Sequence, residues 1–296
     1  MLTVVLTVVA VVFLVFVLTI LLVSLAASKK LASPPRRIGE WTPSDLGLLY
    51  ENFEYKTSDG VVLRGWLVRG SSEKIVVLLH GYTSSKWDEG YIKPALEVLA
   101  KANYSVLALD LRAHGESGGD YTTLGLKESD DIVEVVNELR RRGFSRIALY
   151  GYSMGASTSL MASTKVQVNA VVLDSPYVDI RTSSKRWARR VKGPLGPVLR
   201  VSTPLINKLV SRRIRVNPED LVMTKYASRV KAPVFLIAPE KDDLISLSEY
   251  KALHAELLKS GNPVDAWYVN TGHVEAWQCC REEYAEKLLT FLNKHL

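Results

Sequence analysis

The 296-residue sequence predicts an α/β protein: a mostly parallel, doubly wound sheet preceded by an N-terminal membrane helix. Three observations predict it. Short apolar runs alternate with amphipathic stretches from Ile75 to His295, the pattern of strands joined by right-handed helical crossovers. The runs are continuously apolar, as strands buried on both faces are. The first 28 residues differ in kind from the rest, since Leu2 to Ser28 holds no charged residue.

About 20 apolar residues cross the hydrocarbon core as a helix, and the first segment exceeds that length. A cleaved signal peptide is the alternative, with Ser24-Leu-Ala26 as a cleavage-like sequence. The run is about twice a normal signal core and no Lys or Arg precedes it, which favours an uncleaved anchor over residues 1–28. Lys29, Lys30, Arg36 and Arg37 all follow the segment. The positive-inside rule therefore places the N-terminus outside and the long remainder in the cytoplasm. Cys279 and Cys280, the two cysteines, are adjacent and offer no long-range disulfide framework.

Residues 29–48, with Ser33-Pro-Pro-Arg-Arg37 and Pro43, read as a linker, and 49–296 as one domain. Phe53–Thr57 and Val61–Val68 flank Asp59-Gly60, a hairpin signal. Ile75–Leu79 reads as a central strand and ends in His80-Gly81-Tyr82-Thr83. A helix follows around Tyr91–Ala102, then a strand over Ser105–Leu109. Lys127–Arg142 carries Ile132, Val135, Val136 and Leu139 at helical spacing. The strand Ile147–Tyr150 leads into Gly151-Tyr-Ser-Met-Gly155 and a helix of small residues. Strand Ala170–Leu173 comes next. After an irregular stretch come strand Val234–Ala238, helix Ser248–Ser260, strand Asp265–Val269 and helix Glu275–His295.

Gly-x-Ser-x-Gly between a strand and a helix is a nucleophile elbow. Glycines two before and two after Ser153 let helix and strand approach, and the hydroxyl stands at a helix start, where negative charge is favoured. Sites on parallel sheets lie at the carboxyl ends of the strands. Three more sequences fall there. His80-Gly81-Tyr82 makes the Tyr82 amide one oxyanion donor, and Met154, the residue after the serine, supplies the other. Pro239-Glu-Lys-Asp-Asp-Leu-Ile245 offers Asp242 or its neighbour Asp243 as the acid that orients a histidine. His273, after the last strand, is the base for Ser153. Asp110 and Asp174, each at a strand end, are expected to accept from loop amides. His80 and His114 are expected to hold loops by hydrogen bonds.

The order Ser153, Asp242, His273 resembles that of the α/β-hydrolases, and the resemblance spans roughly Phe53 to Leu296. It includes Asp110-Leu-Arg-Ala-His-Gly-Glu-Ser117, similar to that family's Asp-x-Arg-x-His-Gly-x-Ser loop, and is nearest to membrane-anchored Bem46-like esterases. The resemblance implies the α/β-hydrolase fold with a short helical cap, here residues 178–228. It carries the triad roles onto Ser153, Asp242 and His273, and the oxyanion positions onto Tyr82 and Met154. The Gly-Gly-Gly oxyanion signature of one lipase group is absent.

The cap segment is strongly basic. Arg181 to Arg215 holds eleven Lys or Arg and no acid, so the rest of the +7 chain carries −4. Trp187, Val191, Leu195, Val198 and Leu199 are among the apolar residues interleaved with those charges. Such a surface either lies on an anionic leaflet, with long side chains snorkelling, or is a solvated cap packed on the core. Nucleic-acid binding needs a recognised module besides basic charge, and none shows. No phosphate-binding loop or metal-ligand cluster appears either. The expectation is a membrane-anchored serine hydrolase of carboxylic esters, with lipid-like acyl esters as one class, that requires no cofactor and no metal. A thioesterase or peptidase would use the same triad, and a non-catalytic binding module is the reading from another class.

Overall fold

The computed structural model describes residues 1–70, 73–193 and 195–296. Strands β1 (Tyr50–Lys56), β2 (Val62–Val68), β3 (Lys74–Leu79), β4 (Ser105–Leu109), β5 (Arg146–Tyr152), β6 (Ala170–Asp174), β7 (Val234–Pro239) and β8 (Val264–Val269) form one sheet. Their order is β1-β2-β4-β3-β5-β6-β7-β8. β1 pairs antiparallel with β2, and β2 with β4; every other neighbouring pair is parallel. The fold class is thus as the alternation predicts.

Side chains alternate across a strand, so each strand feeds two cores. Val77 and Leu79 of β3, with Ile147 and Leu149 of β5, face α3 (Leu126–Arg141), α4 (Met154–Ser163) and α8 (Leu247–Leu258). Val76, Leu78, Ala148 and Tyr150 face the opposite layer, where α2 (Ile92–Lys101), α9 (Ala276–Cys279) and α10 (Arg281–His295) lie. Burial on both faces is why these strands read as unbroken apolar runs. The chain direction across the sheet reverses at β3, which lies between β4 and β5. A crevice at the carboxyl ends of the strands opens at such a switch point.

Between β6 and β7 the chain leaves the sheet through α5 (Ile180–Arg190), α6 (Leu195–Ile214) and the short α7 (Thr224–Ala227). Asp179 caps α5 by accepting from the Arg181 amide at 2.8 Å. Several basic residues of this insert are matched: Arg186 pairs with Glu249 and Arg190 with Asp243, both outside it, and Arg181 pairs with Asp179 and Glu219 within it.

Two elements depart from the sequence expectation. The N-terminal helix α1 spans Leu2–Ala32 and runs past Ser28, where the apolar segment was expected to end, into the expected linker 29–48. Lys29 and Lys30 sit in its last turn, where positive charge complements the helix dipole. The segment beyond it is also fastened: Ser33 Oγ donates to the Asp120 carbonyl at 2.7 Å, and Arg36 donates to the carbonyls of Gly119, Gly115 and Ser117. The second departure is at the end of the chain, where one expected helix is two. Cys280 adopts φ −140° and ψ 43°, outside the helical region, and separates α9 from α10; it is bonded to Cys279.

Candidate active site

Ser153 lies between β5 and α4 with φ 51° and ψ −111°, a backbone conformation unfavourable for a residue with a Cβ. The neighbouring glycines make it possible. A Cβ on Gly151 would lie 2.1 Å from the Gly155 carbonyl oxygen, and one on Gly155 would lie 2.2 Å from that of Leu79. Strand and helix approach so closely that only hydrogen fits at either position. The turn is further held by Ser153 N–H, which donates to the Asp174 carbonyl at 2.8 Å.

Ser153 Oγ stands 2.8 Å from His273 Nε2, and His273 Nδ1 stands 2.6 Å from Asp242 Oδ2. A carboxylate only accepts, so it fixes the proton on Nδ1 and leaves Nε2 to accept from the serine. Asp242 is saturated as an acceptor. Its Oδ1 takes the amides of Leu244 and Ile245 at 2.8 and 3.0 Å, and its Oδ2 takes the Tyr250 hydroxyl at 2.5 Å besides His273. Burial by itself raises the Asp242 pKa, but these donors, His273 first, outweigh it and hold the carboxyl below its usual value. Of the two acids left open by the sequence, Asp242 is the one that meets His273. Asp243 points away, to an exposed ion pair with Arg190.

Tyr82 and Met154 also border the serine, and both line the cavity above it. Met154 is the first residue of α4, where an amide has no acceptor within its own helix. Among the described residues, neither its N–H nor that of Tyr82 donates to a protein acceptor. The loop carrying Tyr82 is stiffened by two neutral imidazoles. His80 Nε2 accepts from Leu111 N–H at 3.1 Å, and His114 Nε2 accepts from Thr83 N–H at 3.4 Å. Burial pushes both histidines below the usual pKa.

Several supporting residues carry no motif in the sequence. Tyr250, on α8, is one. Lys86 is another: it is fully buried, bonds Asp110 at 2.8 Å and Glu116 at 2.6 Å, and lies 3.7 Å from the centre of the Trp87 ring. Asp110 accepts from the amides of Lys86 and Glu116 besides, as its strand-end position suggests. Asp174 differs from expectation. It accepts from two hydroxyls, Ser175 and Tyr284, each at 2.6 Å, and burial raises its pKa to about 6. Ser175 Oγ in turn accepts from Val274 N–H at 3.1 Å, next to His273.

The cavity above the serine encloses about 190 Å³. Apolar side chains dominate its wall, with Tyr177, Ile180, Trp187, Val210 and Ile214 from the β6–β7 insert and its approach. Leu31, from the far end of the chain, completes it.

Comparisons agree with this architecture. The family described as "Alpha/beta hydrolase family" matches residues 76–286. The solved esterase Pf2001 of Pyrococcus furiosus is 33% identical, with a TM-score of 0.77 over 90% of this chain and 98% of that one. The alpha/beta hydrolase domain-containing protein WAV2 of Arabidopsis thaliana is 24% identical, over 86% of this chain and 82% of its own. The protein bem46 of Schizosaccharomyces pombe is 27% identical, over 47% of this chain and 48% of its own.

Proposed function

The chain belongs to the alpha/beta hydrolase family, and from that premise we propose that it is a membrane-anchored serine hydrolase of carboxylic esters. One observation carries the reading: the unbroken hydrogen-bonded series Ser153–His273–Asp242 at the mouth of an apolar cavity. In this reading Ser153 Oγ attacks the ester carbonyl carbon while His273 Nε2 takes its proton. The Asp242 carboxylate stays ionised and stabilises the imidazolium. The carbonyl oxygen becomes an oxyanion and accepts from Tyr82 N–H and Met154 N–H, each such donor contributing about 2.7–4 kcal/mol to the transition state. The C–O bond then breaks, the alkoxide leaves with the proton of His273, and an acyl-serine remains. Water, deprotonated by His273, releases the acid and restores the serine.

An ester is favoured over a thioester or amide by the likeness to an esterase at 33% identity. Helix α1 is long and apolar enough to span a bilayer, with mean hydropathy 3.3 over its most apolar window. With Lys29, Lys30, Arg36 and Arg37 following it, the proposed topology is single-pass with the catalytic domain in the cytoplasm. The exposed basic residues of the insert, such as Arg189, Lys192 and Arg200, then face the anionic leaflet. The test is a panel of p-nitrophenyl esters, matched thioesters and anilides, given to full-length wild type and Ser153→Ala in detergent. Ester turnover that vanishes in the variant supports the reading. Turnover that persists in Ser153→Ala, or is confined to anilides, sinks it.

A further inference from the structure

Helix α1 does more than lead into the domain. Its first sheltered residue is Ile20 and its first buried one Ser24; Leu2 to Thr19 is exposed throughout. That exposed part is about 27 Å long at 1.5 Å per residue, close to the roughly 30 Å hydrocarbon core. From Ile20 onward the helix packs along α6. Ser24, Ser28 and Ala32, spaced by four, are the buried residues of that face, and small side chains of this spacing let helix backbones approach closely.

The helix end is joined to the catalytic loops. Its last carbonyls have no partner within the helix. The Leu31 carbonyl accepts from the Tyr82 hydroxyl at 3.0 Å, and the Ala32 carbonyl accepts from Thr122 N–H at 2.9 Å. Tyr82 is the residue whose amide borders Ser153. The Leu31 side chain faces the cavity that holds Ser153 and His273. From Thr19, at the end of the exposed apolar run, to Leu31 the unbroken helix rises about 18 Å.

We propose that the membrane helix is a structural part of the substrate pocket. Leu31 forms a wall of its apolar subsite, and the site so built selects medium- to long-chain acyl esters that partition into the same bilayer. This rests on the ester-hydrolase reading above and adds to it the element that sets chain length. The helix fixes the wall at constant height over the membrane, so an acyl chain leaving the leaflet meets the cavity within a few helical turns. Cutting the helix away would remove one side of the pocket as well as the tether.

The test uses the full-length chain in detergent micelles, with p-nitrophenyl acetate, octanoate and dodecanoate. Wild type is expected to favour octanoate or dodecanoate over acetate in kcat/KM. Leu31→Trp, which fills the subsite, is expected to lower the dodecanoate-to-acetate ratio at least 10-fold. Leu31→Ala, which enlarges the subsite with little risk to folding, should move the same ratio at least threefold. Leu22→Trp, on the exposed face of the helix, should leave the ratio unchanged. A ratio within twofold of wild type in both Leu31 variants, with acetate still hydrolysed, overturns the proposal and leaves the ester-hydrolase reading standing. Wild type that hydrolyses no ester at all removes both.

Discussion

Replacing Asp242 by Asn tests the site through a single proton. Asp242 Oδ1 accepts two backbone amides, from Leu244 and Ile245. The Asn carbonyl must take that side, because an NH₂ group there would meet two donors. The NH₂ then faces His273 Nδ1, where the carboxylate had been. Two donors cannot face each other, so His273 moves its proton to Nε2. That nitrogen lies 2.8 Å from Ser153 Oγ and can no longer accept from it. The same tautomer reversal in a serine protease triad lowers turnover about 10⁴-fold, or roughly 5.5 kcal/mol of barrier. The fold should persist, since shape and both amide bonds are kept. Asp243→Asn is the matched control. Its pair with Arg190 has both side chains largely in water, a type of contact worth about 0–1 kcal/mol. The assay is kcat for p-nitrophenyl octanoate, with thermal unfolding measured alongside. An Asp242→Asn loss below tenfold, or an equal loss in Asp243→Asn, refutes the reasoning.

Three further outcomes are expected. Gly155→Ala brings a methyl within 2.2 Å of the Leu79 carbonyl and forces the elbow open; kcat should fall about 10²-fold for a displacement near 1 Å, and activity at wild-type level would contradict the steric account. Lys86→Met leaves the Asp110 carboxylate buried without its cation, a change that typically costs about 3–5 kcal/mol; calorimetry should show a drop in Tm that the added change Asp110→Asn largely restores. Asp174 titrates near pH 6 in the folded protein and near 3.9 unfolded, so the folded state binds its proton more tightly. Stability from this group rises as pH falls from 6 to 4, by about 3 kcal/mol at most, and is absent at higher pH. Asp174→Asn should remove that slope from urea-unfolding curves, and an unchanged slope would contradict the assignment.

The sequence carried the sheet because strands buried on both faces leave an unmistakable apolar run, as at Ile75–Leu79. It also pointed to Ser153 and His273, which lie 2.8 Å apart in the fold, since an elbow and a strand-end histidine are local patterns. It left Asp242 and Asp243 open for a physical reason. The two are adjacent, and what separates them is Arg190, 53 residues away, which takes Asp243. Tyr250 and Lys86 were invisible because a tyrosine in an amphipathic helix and a lysine in a loop read as ordinary surface. Nothing in the linear pattern announces that Lys86 will lie beneath Trp87 with two carboxylates. The reach of α1 into the cavity was hidden for a similar reason. Periodicity shows that a helix forms and which face is apolar, but a uniformly apolar helix has no distinct face to read. Only the small residues Ser24, Ser28 and Ala32 mark its contact, and they resemble any others in a membrane segment.

The most direct test of the central claim is covalent capture of Ser153. A fluorophosphonate probe reacts with a serine only when a neighbouring base activates it and an oxyanion site receives the phosphoryl oxygen. Full-length protein in detergent should label once, with the adduct located by mass spectrometry on the peptide containing Ser153. Label should be absent from Ser153→Ala and strongly reduced in Asp242→Asn. Folded wild type that stays unlabelled, or an adduct on any other residue, would contradict the account.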